Sequence, residues 1–158
     1  MINIYDIIQD NDYRPILKCI NSIDVDSEKQ FDDERTVIFL KKYLHLNELI
    51  SEHVYVVCYN LNHSIAGIYC LGIGNYNSCD VYNRNLAIFL LLSGSIYFRL
   101  FHNHPNNLLQ ASDSDIASAQ QLEILGNLLE IKFKGSYILT KNTWKNIEDD
   151  DPFGNIYL

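Results

Sequence analysis

Residues 53–73 limit the possible folds of this chain more than any other stretch. His-Val-Tyr-Val-Val-Cys-Tyr-Asn at 53–60 and Ser-Ile-Ala-Gly-Ile-Tyr-Cys-Leu-Gly-Ile at 64–73 are rich in β-branched and aromatic side chains, which pack well on a pleated surface. Only a turn at residues 60–63 separates them. Two such runs with so short a connection predict an antiparallel hairpin. After it, residues 96–102 and 130–140 also read as strands, with a polar loop from Asn103 to Ala111. Helical spacing appears between the strands. Val37, Leu40, Lys41 and Leu44, continuing toward Leu46, recur near 3.6 residues and predict a helix over 33–50. Asp32 and Asp33 lie at its start and Lys41 and Lys42 later, as the helix dipole favours. Residues 80–93 predict a second helix, apolar on nearly every side after Leu86 and therefore covered by other elements. Ser93-Gly94-Ser95 ends it. A third helix over 113–129 turns Ile116, Ala119, Leu122 and Leu125 or Leu129 inward. Near the N-terminus, Ile4, Ile7 and Ile8 fit one face of a short helix, and Pro15 starts or redirects an element. From Asn146 the chain has three consecutive aspartates, Pro152 and Gly154, the composition of a loosely held tail. Hairpin, helix, strand, helix and strand in this order predict an α/β fold, a sheet flanked by helices.

The chain of 158 residues is 47% apolar, enough to fill one compact core and contrary to disorder. Its formal charge is −8, from 12 basic and 20 acidic side chains. It has no run of Lys or Arg, which a surface tracking phosphates requires, so direct nucleic-acid binding is disfavoured. Cys19, Cys58, Cys70 and Cys79 contain no C-x-x-C pair, and Cys58 and Cys70 sit in apolar runs as small buried hydrophobes. Acidic residues interrupt the N-terminus before any apolar segment, and the apolar stretch 86–92 is too short to span a bilayer. These features point to a cytoplasmic, reducing setting without a membrane anchor.

The chemistry gathers at Phe101-His102-Asn103-His104-Pro105 and Ala111-Ser112-Asp113-Ser114-Asp115. Side chains alternate along an extended backbone, so His102 and His104 point the same way at a strand end. Asp115 falls in the first turn of the next helix, and one loop can fold it back. Two imidazoles, one carboxylate and an open water position suit a tetrahedral catalytic zinc. A plainer reading stands beside this one. Ser112 as N-cap and Asp115 at N3 form a capping box, and one carboxylate oxygen cannot easily both cap and ligate. A histidine at a strand end is often just a polar surface residue, and Pro105, Asn106 and Asn107 are ordinary loop formers.

His102-x-His104-Pro105, six residues and then Ser112-x-x-Asp115 resembles the motif of the JAB/MPN (JAMM) metalloprotease family. The wider string HNHPNNLLQASDSD is most similar to its RadC-like branch. The resemblance covers residues 35–140. It implies a JAB/MPN-like, cytidine-deaminase-like fold with a mixed central sheet. It also implies three parts: an N-terminal segment 1–34 of unassigned role, the domain at 35–145, and an acidic tail at 146–158. The helix-hairpin-helix region of full-length RadC proteins is not expected here. By the same resemblance His102, His104 and Asp115 would bind Zn2+, and Ser112 would donate to the oxyanion or help order the site. Glu52, just before the first hairpin strand, would be the acid–base, with Glu48 a weaker candidate.

The implied activity is metal-assisted hydrolysis of a peptide or isopeptide bond in a protein or peptide, with a ubiquitin-like C-terminus as one possible substrate. Two alternatives remain. One is a catalytically inactive JAB-fold interaction module, and the other is a RadC-like accessory protein of DNA repair. A zinc deaminase would bring a P-C-x-x-C arrangement, which this chain lacks. The chain departs from the family pattern in several places. Asn106-Asn107 replaces Ser-Gly, with Asn107 able to adopt a positive φ in place of the Gly. Ala111 replaces Pro, no Asp-His pair occurs near Lys134-Gly135-Ser136, and the helix over 80–92 is longer than usual. Leu108 and Leu109 are unusual in a polar loop and offer contacts to a substrate tail or a second subunit.

Overall fold

The computed structural model describes residues 1–26, 29–76 and 78–150, the last two by main chain only. The predicted hairpin is present as β3 (His53–Tyr59) and β4 (Ile65–Ile73), paired antiparallel. It forms the middle of a seven-stranded sheet with β1 (Ile2–Gln9), β2 (Pro15–Ile23), β5 (Tyr97–Asn103), β6 (Lys132–Leu139) and β7 (Trp144–Asn146). The order across the sheet is β2-β1-β4-β3-β5-β6-β7. β1 joins β4 in parallel, and β6 joins β5 in parallel; the other neighbours are antiparallel. With α1 (Asp33–Leu44), α2 (Asn83–Leu92) and α3 (Asp113–Leu129), this is the expected α/β fold with a mixed sheet flanked by helices.

The sheet separates two apolar cores. Val37, Phe39 and Leu40 of α1 pack with Ile2, Ile4, Val57, Tyr59, Phe101 and Tyr137 on one face. Leu86, Phe89 and Leu90 of α2 and Leu122 of α3 pack with Val54, Val56, Phe98 and Leu100 on the other. Alternate residues of β3 and β5 enter alternate cores, so both strands are buried on both sides and carry little polar patterning.

The first residues differ from the helix expected around Ile4, Ile7 and Ile8. They form β1, an inner strand bonded to β2 and β4. Pro15 does begin an element, the edge strand β2, where its missing N–H costs least. The helix expected over 33–50 stops at Leu44. His45 takes a left-handed conformation (φ 52°) and donates its N–H to Leu40, and a 3-10 turn, Leu46–Glu48, follows. α2 is less covered than its apolar sequence implied, because Leu91 and Leu92 are exposed. The loosely held tail expected from Asn146 does not start there. β7 pairs with β6, Ile147 is buried, and Pro152 and Gly154 lie outside the described residues.

The crossover from β5 through α3 to β6 positions the site. α3 can lie close to β6 because residue 126 is Gly: a Cβ there would meet the Ile131 carbonyl oxygen at 2.6 Å. The loop between β5 and α3 therefore brings a strand end and a helix start together, the usual place for ligands in a sheet of this kind.

Candidate metal centre

His102 is the penultimate residue of β5, opposite Val54 of β3 and Ile138 of β6. It is buried. His104 follows the strand, its N–H bonded to the Leu139 carbonyl at 2.9 Å. Its Nδ1 lies 2.7 Å from the Leu108 carbonyl. A carbonyl only accepts, so Nδ1 carries the proton in the neutral ring and Nε2 offers a lone pair. The loop that makes this contact turns at Asn107, which has the positive φ (64°) expected of it. Its N–H donates to the His104 carbonyl at 2.9 Å, and its Oδ1 accepts from the Lys141 N–H at 3.0 Å.

Asp115 sits at N3 of α3 and closes the predicted capping box. Its Oδ2 accepts from the Ser112 N–H at 2.9 Å, and its own N–H donates to Ser112 Oγ at 3.1 Å. The capping and ligating readings coexist because a carboxylate has two oxygens. Oδ1 lies 3.4 Å from His102 Nε2, and Oδ2 lies 3.2 Å from His104 Nε2. The cap uses an acceptor site of the Ser112 hydroxyl, not its O–H donor.

Glu52 reaches the same point from the residue just before β3. Its N–H donates to the Asn75 carbonyl and its carbonyl accepts from the Gly74 N–H, both at 2.8 Å. It is 5% exposed. One donor atom from each of Glu52, His102, His104 and Asp115 lies within 4.8 Å of all the others. Glu48, the weaker candidate, instead pairs with His45 at 3.6 Å.

The charges shape this cluster. Burial pushes the Glu52 carboxyl above its ordinary value; the two imidazoles pull it down and Asp115 pushes it up, with burial prevailing. Burial also works against an ionised Asp115. Its hydrogen bonds and charge interaction with the imidazoles, and the Ser112 N–H, overcome this and hold it well below the usual range. Burial lowers His104, but Asp115, the Leu108 carbonyl and Glu52 outweigh it, and its value is raised.

This donor set fits a divalent metal. His102 Nε2 and His104 Nε2 stand 3.0 Å apart, an approach that needs a proton or a cation between two ring nitrogens. Tetrahedral donors about 2.0–2.1 Å from zinc would be separated by roughly 3.3 Å; here the two ring nitrogens stand 3.0 Å apart, and Asp115 Oδ1, the oxygen outside the cap, lies 3.4 Å from His102 Nε2. The cluster opens into a cleft of about 510 Å³ lined by Glu52, Cys79, Leu108, Ser112 and Asp115. His104 also borders a second cleft of about 630 Å³ that includes Ile50, Tyr76 and Asn107.

Asn103 has a part that sequence reasoning did not give it. Buried between the two histidines but facing away from them, it accepts from the His53 N–H at 2.7 Å. Its amide donates to the Leu49 carbonyl at 3.2 Å and the Ser51 carbonyl at 3.0 Å. It thereby fastens the segment carrying Glu52 to the strand carrying His102. The Asn was visible in the sequence, but partners 50 or more residues away were not. Cys58 is a buried thiol, as expected, and burial pushes its pKa up to about 12.

A mixed sheet with His-x-His at the end of an inner strand, facing the acidic start of the following helix, has the architecture of a JAB-type domain. The RadC-like JAB domain family model matches residues 32–150, and the chain belongs to that family. It is also similar to a UPF0758 protein found in two strains of Clostridium kluyveri. Both matches are 26% identical over 98 residues, 62% of this chain and 43% of the relative. The match thus takes in less than half the length of those relatives. Among the described residues, no helix is long and apolar enough to cross a membrane.

Proposed function

We propose that this chain is a zinc-dependent hydrolase of a peptide or isopeptide bond, with His102, His104 and Asp115 as ligands. The observation that carries the reading is the convergence of Glu52, His102, His104 and Asp115 within 4.8 Å beside an open cleft. Structural zinc sites are closed by four protein ligands, whereas catalytic sites keep a position open. Here three ligands leave Glu52 for proton transfer. A zinc ion bound there supplies a Lewis acid that acidifies water and polarises a carbonyl oxygen.

The protein's own groups do the rest. The Glu52 carboxylate accepts the proton of the attacking water. The protonated carboxyl, its value raised by burial, then returns that proton to the leaving amine. The Ser112 O–H donates to the carbonyl oxygen as that oxygen gains negative charge. Asn103 holds the Glu52 segment in place. The clefts on either side of His104 give an extended chain room to lie across the site, and Leu108, 63% exposed, offers an apolar contact for it. A protein substrate in the cytoplasm suits this arrangement, and a ubiquitin-like C-terminus is one such chain.

The test combines metal content with turnover. The purified parent and Glu52→Gln should each hold about one zinc per chain, and His104→Ala should hold little. Glu52→Gln should lose about 10²–10⁴-fold in rate on isopeptide or peptide substrates. A parent that takes up no metal after reconstitution would overturn the reading in favour of an interaction module.

A further inference from the structure

β5 carries a second polar group on the face turned away from His102. Phe98 and Leu100 enter the core beneath α2 and α3, while Tyr97 and Phe101 enter the core beneath α1. Arg99 shares the α1 side with Tyr97. Its guanidinium lies 4.8 Å from the Tyr59 ring centre and 5.3 Å from that of Tyr97. The side chain is only 12% exposed, and Asp33 Oδ1 comes within 2.9 Å of Nε. Even so, Nε and the buried Nη1 make no well-aligned hydrogen bond; the guanidinium is held by its charge interaction with Asp33 and by the Tyr59 hydroxyl. Buried guanidinium donors with poorly aligned partners are costly.

Other donors surround it. Lys134 Nζ stands 3.7 Å from the Tyr97 ring centre. Arg35 Nη1 donates to the Gln30 carbonyl at 3.0 Å. His63 Nδ1 lies 2.8 Å from the Tyr97 hydroxyl, and the His63 carbonyl accepts from the Phe31 N–H at 2.9 Å. These residues line a pocket of about 280 Å³.

The nearby acids are already engaged. Asp32 caps α1 through the Arg35 N–H. Asp33 accepts from the Tyr137 hydroxyl at 2.6 Å and pairs with Arg99. Three cations, Arg35, Arg99 and Lys134, therefore meet two carboxylates, leaving an excess of positive charge in a chain of net −8. Burial, Arg99 and Lys132 hold the Lys134 ammonium below its ordinary value against the pull of Asp33.

We propose that this pocket binds a phosphate group, either inorganic phosphate or the phosphate of a small monoester. Arg35, Arg99 and Lys134 come from three different elements, α1, β5 and β6. A carboxylate is satisfied by a single guanidinium fork, whereas a phosphate offers enough oxygens for several convergent donors. The pocket volume, near the lower end for small-ligand sites, suits a phosphate with a small body attached.

The test is a titration of the labelled protein followed by NMR at the side chains of Arg35, Arg99 and Lys134. The probes are inorganic phosphate, ribose 5-phosphate and acetate at constant ionic strength, with the Arg35→Gln/Lys134→Gln double variant alongside. Saturable shifts at these side chains with both phosphate probes, weakened about tenfold or more in the variant, are expected. Tighter binding of ribose 5-phosphate would identify a monoester as the ligand, and equal binding would identify phosphate itself. The variant should keep the parent's thermal midpoint and zinc content. Equal response to acetate, shifts confined to His102 and His104, or no saturation would overturn the proposal.

Discussion

Asn103 gives the clearest case of one residue holding distant parts of the chain together. It meets one N–H and two carbonyls with its three hydrogen bonds. Removing a partner from a buried polar group costs about 1–3 kcal/mol. Asn103→Ala should therefore lower the unfolding free energy by about 2–4 kcal/mol, measured by urea denaturation. The segment carrying Glu52 would loosen while the ligands stayed on β5 and α3. Zinc content should then hold, and kcat should fall by at least about tenfold with little change in KM. Asn103→Asp keeps the acceptor for His53 but turns a buried carboxylate oxygen toward the Leu49 and Ser51 carbonyls, so it should destabilise at least as much as the Ala variant. An Ala variant with parental stability and kcat would leave Asn103 no positioning role. Asp115 was harder to assign from sequence, because Ser-x-x-Asp fits a capping box and a ligand equally well. The structure accommodates both with two oxygens of one carboxylate.

Among the elements, the loop between β5 and α3 controls how well His104 is oriented. Asn107 at φ 64° turns the chain so that the Leu108 carbonyl meets His104 Nδ1 at 2.7 Å. Asn107→Val should cost about 1–2 kcal/mol or more, because a β-branched residue resists the left-handed region. It should also weaken zinc retention against a chelator, since the partner that orients a ligand tunes its affinity. Asn107→Gly keeps the turn and loses only the bond to Lys141, so zinc retention should stay near parental. Equal zinc loss in both variants would mean that backbone conformation is not the cause. Elements with strong local signals were legible in the sequence. α3 spans the expected residues with its cap, and β3 and β4 fall where their β-branched and aromatic runs lie. β1 was not legible because its apolar residues switch faces along the strand, Ile2 and Ile4 in one core and Tyr5 and Ile7 against the other, while Asp6 and Ile8 are exposed. Such a strand loses the apolar–polar alternation, and Ile4, Ile7 and Ile8 happen to match a helical period. The meeting of Glu52 with His102 rests on the pairing of Val54 with His102. No local pattern in the sequence reveals that register.

Across the whole molecule, metal binding and folding should depend on pH in opposite directions. With metal removed, His104 has a value raised above its ordinary 6.5. Its contribution to stability is fully present below that pH and is lost as pH rises through the folded-state value. Asp115 behaves in the opposite way. Its value is depressed below the ordinary 3.8, so its contribution is present above that pH and is lost as pH falls toward the folded-state value. Glu52 is raised above 4.5, so its contribution also fades as pH climbs. The chelated protein should thus be most stable at about pH 4, with a thermal midpoint that declines toward pH 8, first as Glu52 and then as His104 loses its proton. Metal ligation needs the ring nitrogen without its proton, so a bound ion gains from the same rise in pH. Stabilisation by zinc should grow from pH 5 to pH 8 and offset or reverse the decline. Thermal midpoints measured with excess chelator and with excess zinc at each pH would show two curves that diverge as pH rises. Parallel curves would mean that the metal does not compete with the His104 proton. In His104→Gln the zinc-dependent divergence should disappear, because the variant has neither that proton nor that ligand.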